Sequence, residues 1–123
     1  MILMSYDVNN IFAKIIKGDI PCKKISEDNF YLAFHDIQPR APVHALVIPK
    51  SAYIDVCDFH QKAKPEEIIG FYKGVNQVIE LLELKQQGFR MISNCGVYGG
   101  QEVPHYHIHL LGGKKLGPML SSS

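Results

Sequence analysis

His105-Tyr106-His107-Ile108-His109-Leu110-Leu111 alternates imidazole with apolar side chains. Alternation at period two marks a strand with two unlike faces. His105, His107 and His109 project to one side, and Tyr106, Ile108 and Leu110 to the other. The apolar face belongs against a core, so the histidine face lines something polar. Same-face Cα atoms on a strand lie about 6.5–7 Å apart, close enough for neighbouring imidazoles to share one small anion. Three chemistries fit such a face. The histidines are incidental and solvated. Or two or three of them hold zinc or another divalent ion, with Glu102 the one further ligand nearby. Or one is a nucleophile or acid–base group that its neighbours orient while they bind phosphate. The preceding stretch, Asn94-Cys-Gly-Val-Tyr-Gly-Gly-Gln101, favours the third, because backbone N–H groups at glycines are the usual material of an anion-binding nest.

The segments around this strand set the fold class. Phe89–Asn94 reads as a strand, and residues 65–84 carry apolar positions at three- and four-residue steps from Ile68 to Leu82, the mark of an amphipathic helix. Pro65 suits its first turn and Gly88 its exit, while Gly70 and Gly74 allow something to approach closely. His44–Pro49 is an apolar run bounded by prolines, a buried strand that follows the Pro-rich connection 37–42, and Ser51 offers a cap for a short helical turn. Residues 23–36 read as a hairpin turned at Asp28-Asn29. Asn10–Pro21 reads as a short helix capped by Asn10 and stopped at Gly18. Residues 1–8 and 114–123 read as loose termini. Strands that follow one another without crossover helices pair antiparallel, so the class is α+β, in one domain over residues 1–123.

The composition narrows the function. Thirteen basic against twelve acidic residues leave a formal charge of +1, which disfavours partners recognised by charge, such as nucleic acid or a membrane surface. No apolar run approaches the ~20 residues of a membrane span, and MILMSYDVNN lacks the basic start of a secretory signal. Cys22, Cys57 and Cys95 are odd in number and widely spaced, which suits a reducing, cytoplasmic setting.

The histidine strand resembles the H-φ-H-φ-H-φ-φ motif of the histidine triad (HIT) family, with a tyrosine as the first φ. FAKIIKGDIP, AFHDIQPRAPVHALVIPK and NCGVYGGQEVPHYHIHLLGG extend the resemblance from about Ile11 to Gly113 and point to its Hint branch. The resemblance implies a five-stranded antiparallel sheet with two main helices, paired in a homodimer as a ten-stranded sheet, with helix 65–84 and its glycines near the interface. It implies a hydrolase that cleaves purine nucleoside 5'-phosphoramidates through a nucleotidyl-histidine and releases the nucleoside monophosphate without a cofactor. His107 would be the nucleophile, His109 would hydrogen-bond the phosphate, His105 would orient His107, and His44 would be a fourth site histidine. Asn94, Gly100 and Gln101 would lie beside the phosphate and Asp36 on the ribose. Phe34, His35 and Ile37 would wall the base pocket, with Phe12 and Ile15 on its far side and Val103 before the triad. A nucleotide-binding regulatory partner with little turnover, a dinucleoside polyphosphate hydrolase and a metal-binding module stand as alternatives.

Three departures from the family pattern matter. Many bacterial members carry C-x-x-C around the first helix and bind a structural zinc there. Asn10 and Ala13 replace those cysteines, so no metal is expected. Glu102 stands where some members have a small hydroxyl residue that helps the leaving group. Either it reaches the leaving group as a protonated acid, or it faces solvent. The tail lacks the tryptophan of some Hint proteins, which leaves substrate preference open. His60 has no family counterpart and reads as a surface residue.

Overall fold

The protein, a computed structural model described here over residues 5–121, is built on one five-stranded antiparallel sheet. In chain order its elements are α1 (Ile11–Lys17), β1 (Lys24–Glu27), β2 (Tyr31–His35), β3 (Val43–Pro49), α2 (Val56–Lys62), α3 (Pro65–Leu81), β4 (Arg90–Ile92) and β5 (Ile108–Gly112). The strand order is β1-β2-β3-β5-β4, which places β3 at the centre and β4 at an edge. Val43–Pro49 is central because six of its seven residues are buried, as a strand covered on both faces requires.

Each face of the sheet has its own core. Tyr31, Ala33, Ala45, Val47, Ile108 and Leu110 pack with Phe59, Phe71, Val75 and Val78 of α2 and α3. Leu32, Phe34, Leu46 and Ile48 point the other way and pack with Phe12 of α1. The period of two along β2 and β3 therefore sorts alternate residues into two clusters. The helix α3 lies close on the sheet because its glycines permit it. A Cβ at Gly74 would stand 2.2 Å from the Tyr31 ring, and one at Gly70 would stand 2.4 Å from Phe30. These glycines serve a contact within the chain, with Phe30 and Tyr31.

Four expectations are corrected. A third helix, α2, follows β3, and its cap is Asp55, which accepts from the Asp58 amide at 2.8 Å, not Ser51. At seven residues it is too short to show a clear apolar stripe. The helix α3 ends at Leu81, short of 84, and Glu83 takes the left-handed conformation (φ 55°) just beyond it, so Gly88 is not its exit. The paired ladder of β5 starts at Ile108, so His105–His107 precede it. Their alternation survives because the segment stays tied to the core by the Tyr106 amide, which donates to the Tyr53 carbonyl at 2.8 Å. Finally, the amino-terminal segment is not wholly loose, since Tyr6 reaches His105; residues 1–4, 122 and 123 lie outside the described part. At the other end Arg90 donates to the Gly117 carbonyl at 2.7 Å. Among the described residues no helix is long and apolar enough to cross a membrane.

Candidate active site

Between α1 and the sheet lies a cavity of about 390 Å³, within the usual range for a small-molecule site. The register of β3 and β5 puts the histidines into it. Leu46 faces His109 directly, so His44, two residues earlier on the same face, is the diagonal neighbour of His109. His107 and His109 lie on the α1 side with ring centroids 5.0 Å apart, and Phe12 packs its edge against His107 at 5.0 Å.

Hydrogen bonds fix the tautomer of each imidazole. His105 Nε2 lies 2.8 Å from the Pro49 carbonyl, which only accepts, so Nε2 carries the proton. Its Nδ1 then accepts from the Tyr6 hydroxyl at 2.6 Å. His107 Nδ1 donates to the His105 carbonyl at 2.7 Å, which leaves the Nε2 lone pair free. No buried side-chain nitrogen or oxygen lacks a partner among the described residues, so this unpartnered Nε2 opens on the cavity that His107 lines. The Arg40 amide donates to His44 Nδ1 at 3.1 Å. His44 Nε2 therefore bears a proton and donates it to His109 Nδ1 at 2.9 Å. With Nδ1 accepting, His109 carries its proton on Nε2. The site thus offers one bare nitrogen, on His107, and beside it one N–H, on His109.

Burial keeps these rings neutral. It pushes His105 and His109 down to about 4, with the neighbouring imidazoles adding to the shift. Burial also lowers His44 and His107, while the charge of Asp36 opposes the shift in both and Glu102 opposes it in His107. Asp36 holds the Gln38 amide at 2.8 Å through Oδ1, and its Oδ2 stands 3.4 Å from His44 Nε2.

Most residues expected in the site line the cavity: Phe12, Ile15, Phe34, His35, Asp36, Ile37, His44, Asn94, Gly100, Glu102, Val103, His107 and His109. Two do not. His105 is fully buried beneath the cavity and acts on His107 through its carbonyl. Gln101 turns away and braces the glycine loop, accepting from the Gly96 amide at 3.0 Å and donating to the Ile54 carbonyl at 2.7 Å. The loop needs its glycines: Gly100 sits at φ 74°, and a Cβ on Gly99 would stand 2.3 Å from the Cys95 carbonyl oxygen. Glu102 stands exposed at the rim, near enough for its charge to act on His107. The sequence reading missed Tyr6 and Arg40. Tyr6 lies 99 residues from its partner in a segment without periodicity, and Arg40 contributes only a backbone amide, which no side-chain pattern reveals. His60 is exposed, as expected, but its Nε2 meets the Tyr72 hydroxyl at 2.7 Å.

Among the described residues, two groups bring three possible metal ligands within 4.8 Å of one another: Asp36, His44 and His109, and Asp55, Cys57 and Cys95. In the first, the two imidazoles already satisfy each other, and a metal would have to break that bond. The first helix offers no zinc site of the C-x-x-C kind. Asn10 spends its side chain on the Ala13 amide at 2.9 Å, and Ala13 is buried.

The model of the HIT domain family matches residues 17–116. The chain belongs to the HIT family. It is 50% identical over 117 residues to a HIT-like protein of Azospirillum brasilense, covering 95% of this chain and 96% of that one. It is 42% identical over 112 residues to the purine nucleoside phosphoramidase of Escherichia coli K12, covering 90% and 92%. Among solved structures, a HIT family hydrolase from Clostridium thermocellum superimposes with a TM-score of 0.82 at 42% identity, covering 92% of this chain and 97% of that one. The five-stranded sheet is that of the HIT fold, and its relatives include a purine nucleoside phosphoramidase and a HIT family hydrolase.

Proposed function

We propose that this HIT protein hydrolyses purine nucleoside 5'-phosphoramidates through a nucleotidyl-His107 intermediate. One observation carries the reading. The His105 carbonyl accepts a hydrogen bond from His107 Nδ1–H, so the Nε2 lone pair is aimed at the cavity without any change of tautomer. A neutral imidazole is not repelled by phosphate oxygens as an anion would be, and burial lowers the pKa of His107 from the ordinary histidine value, which favours the neutral ring. Attack by Nε2 forms an N–P bond as the P–N bond of the substrate breaks, and the amine departs with a proton from the site or solvent. Water then attacks phosphorus, the His107–P bond breaks, and the nucleoside monophosphate leaves. His109 Nε2–H would hold a phosphate oxygen whose charge grows in both steps; the Gly100 and Gln101 amides are already spent inside the loop, on the Val97 and Gly96 carbonyls at 3.1 Å each. The apolar walls at Phe12, Ile15, Phe34 and Ile37 suit a purine, and Asp36 suits ribose hydroxyls. No step calls for a cofactor.

The test is mass spectrometry of protein quenched during turnover of an adenosine phosphoramidate. An adenylate adduct on His107 is expected. Tight AMP binding with neither adduct nor turnover would instead establish the nucleotide-binding partner, and faster cleavage of a dinucleoside polyphosphate would move the substrate class. We also infer a homodimer joined at β4, which leaves one sheet edge unpaired and Met91 54% exposed. Light scattering at the mass of one chain would refute it. Three free cysteines fit a cytoplasmic setting.

A further inference from the structure

We propose that Asp55, Cys57 and Cys95 form a zinc site that fastens the glycine loop to the start of α2. The three come from two separate segments. Asp55 and Cys57 are the cap and the second residue of α2, and Cys95 directly follows Asn94 at the entrance to the loop. One possible ligand atom from each lies within 4.8 Å of the others. A tetrahedral zinc with Zn–S near 2.3 Å and Zn–O near 2.0–2.2 Å spaces its ligand atoms roughly 3.5–3.8 Å apart, so no pair of the trio has to close by more than about 1.3 Å.

The donor set is right for the ion. Two thiols select zinc over magnesium or calcium, and a carboxylate completes three protein ligands with a fourth position left for water. Binding Zn²⁺ releases the two thiol protons, and no electron moves. Asp55 is held in place by its capping bond to the Asp58 amide, and the second carboxylate oxygen keeps capping and ligation compatible. Cys57 is exposed, which gives the ion a way in. The loop is brought to the same place independently. Gln101, at its far end, donates to the Ile54 carbonyl and accepts from the Gly96 amide. A zinc at Cys95 would add a second tie from the near end to the same 54–57 segment, and so hold Gly100 at the cavity from both sides.

The full-length protein, reduced and equilibrated with one equivalent of zinc chloride, is desalted and its metal measured. Close to one zinc per chain is expected. Cys57→Ser and Cys95→Ser should each retain less than about a tenth of that, and Asp55→Asn, which preserves the helix cap, should weaken binding about tenfold. Cobalt(II) should give thiolate charge-transfer absorption in the wild type and in neither cysteine variant. The proposal falls if the wild type retains no zinc. It falls equally if zinc survives both cysteine changes and is lost in His109→Ala, which would put the metal on Asp36, His44 and His109. A Cys57–Cys95 disulfide that forms in place of metal binding would also overturn it.

Discussion

The two faces of the sheet use one strand for opposite ends. Facing α3, β5 and the residues before it contribute Tyr106, Ile108 and Leu110, each no more than 2% exposed and packed among Phe59 and Phe71. Facing α1, the intervening residues are His105, His107 and His109, and the space over them is a cavity. On the first face a side chain matters for its volume. On the second it matters for which nitrogen bears a proton. Neighbours in the chain should therefore fail in different ways when they are changed.

The largest separation is expected between positions 106 and 107. His107→Ala removes the nucleophile, so turnover should fall by at least ~10³-fold. AMP should still bind within about tenfold, because Asp36, the glycine loop and the apolar walls remain. Tyr106→Ala empties a fully buried ring site and should cost about 3–5 kcal/mol of stability. The fraction that stays folded should keep its catalytic rate. Urea unfolding and active-site titration of both variants measure the contrast. Near-wild-type turnover in His107→Ala would reopen the choice among His105, His107 and His109.

Acid should strike the histidine face. His105 and His109 are held at about 4, below the ~6.5 of an unfolded histidine. The unfolded chain thus takes up these protons first as pH falls. The stability they contribute is complete above pH ~6.5 and is lost progressively from there down through pH ~4. For His105 alone this is on the order of 3 kcal/mol. His105→Asn should flatten the dependence in denaturant titrations between pH 7 and 4, whereas changes on the apolar face should shift the curve without altering its slope. The acid limb of kcat/KM should likewise fall below 6.5, since burial lowers His107.

On the apolar face, Gly74→Ala sets a methyl against the buried Tyr31 ring and should cost about 1–3 kcal/mol. Gly70→Ala meets the half-buried ring of Phe30, which has room to swing, and should cost less. Equal losses would mean that α3 shifts as a body on the sheet.

The two faces were also unequally legible in the sequence. Period-two alternation assigned the histidines to one side, and the helical period of 65–84 supplied the other core. Both are repeating signals, and both survived. The missing parts depend on single contacts between distant segments. Tyr6 engages the Nδ1 of His105 that the Pro49 carbonyl leaves as acceptor, the Arg40 amide fixes the tautomer of His44, and Gln101 props the loop from outside the cavity. The resemblance to the family supplied a role for Gln101 beside the phosphate, but side-chain direction in an irregular loop follows from its backbone turns, which the sequence does not display. The helix α2 escaped because seven residues hold too few turns to establish a period.

Glu102 separates the chemistry of the histidine face from its electrostatic surroundings, and its effect should be the smallest. It stands exposed at the cavity rim, and its charge favours the protonated form of His107. An exposed carboxylate is screened by water and salt, so its pull on His107 is modest. It also repels an anionic substrate. Glu102→Gln should therefore move the acid limb of kcat/KM slightly lower, and should lower KM by less than about threefold at low ionic strength, an effect that fades as salt is added. The leaving amine would depart at an unchanged rate, because the Glu102 side chain is exposed to solvent at the rim. The competing outcome is sharp. If Glu102 donates the proton to the departing amine, Glu102→Gln should cost ~10²-fold or more for amine leaving groups and remove the basic limb of the pH–rate profile. Comparing pH–rate profiles for a good and a poor leaving group in both proteins decides between them. A lost basic limb would place Glu102 among the reacting groups, beside His107 and not merely at the rim.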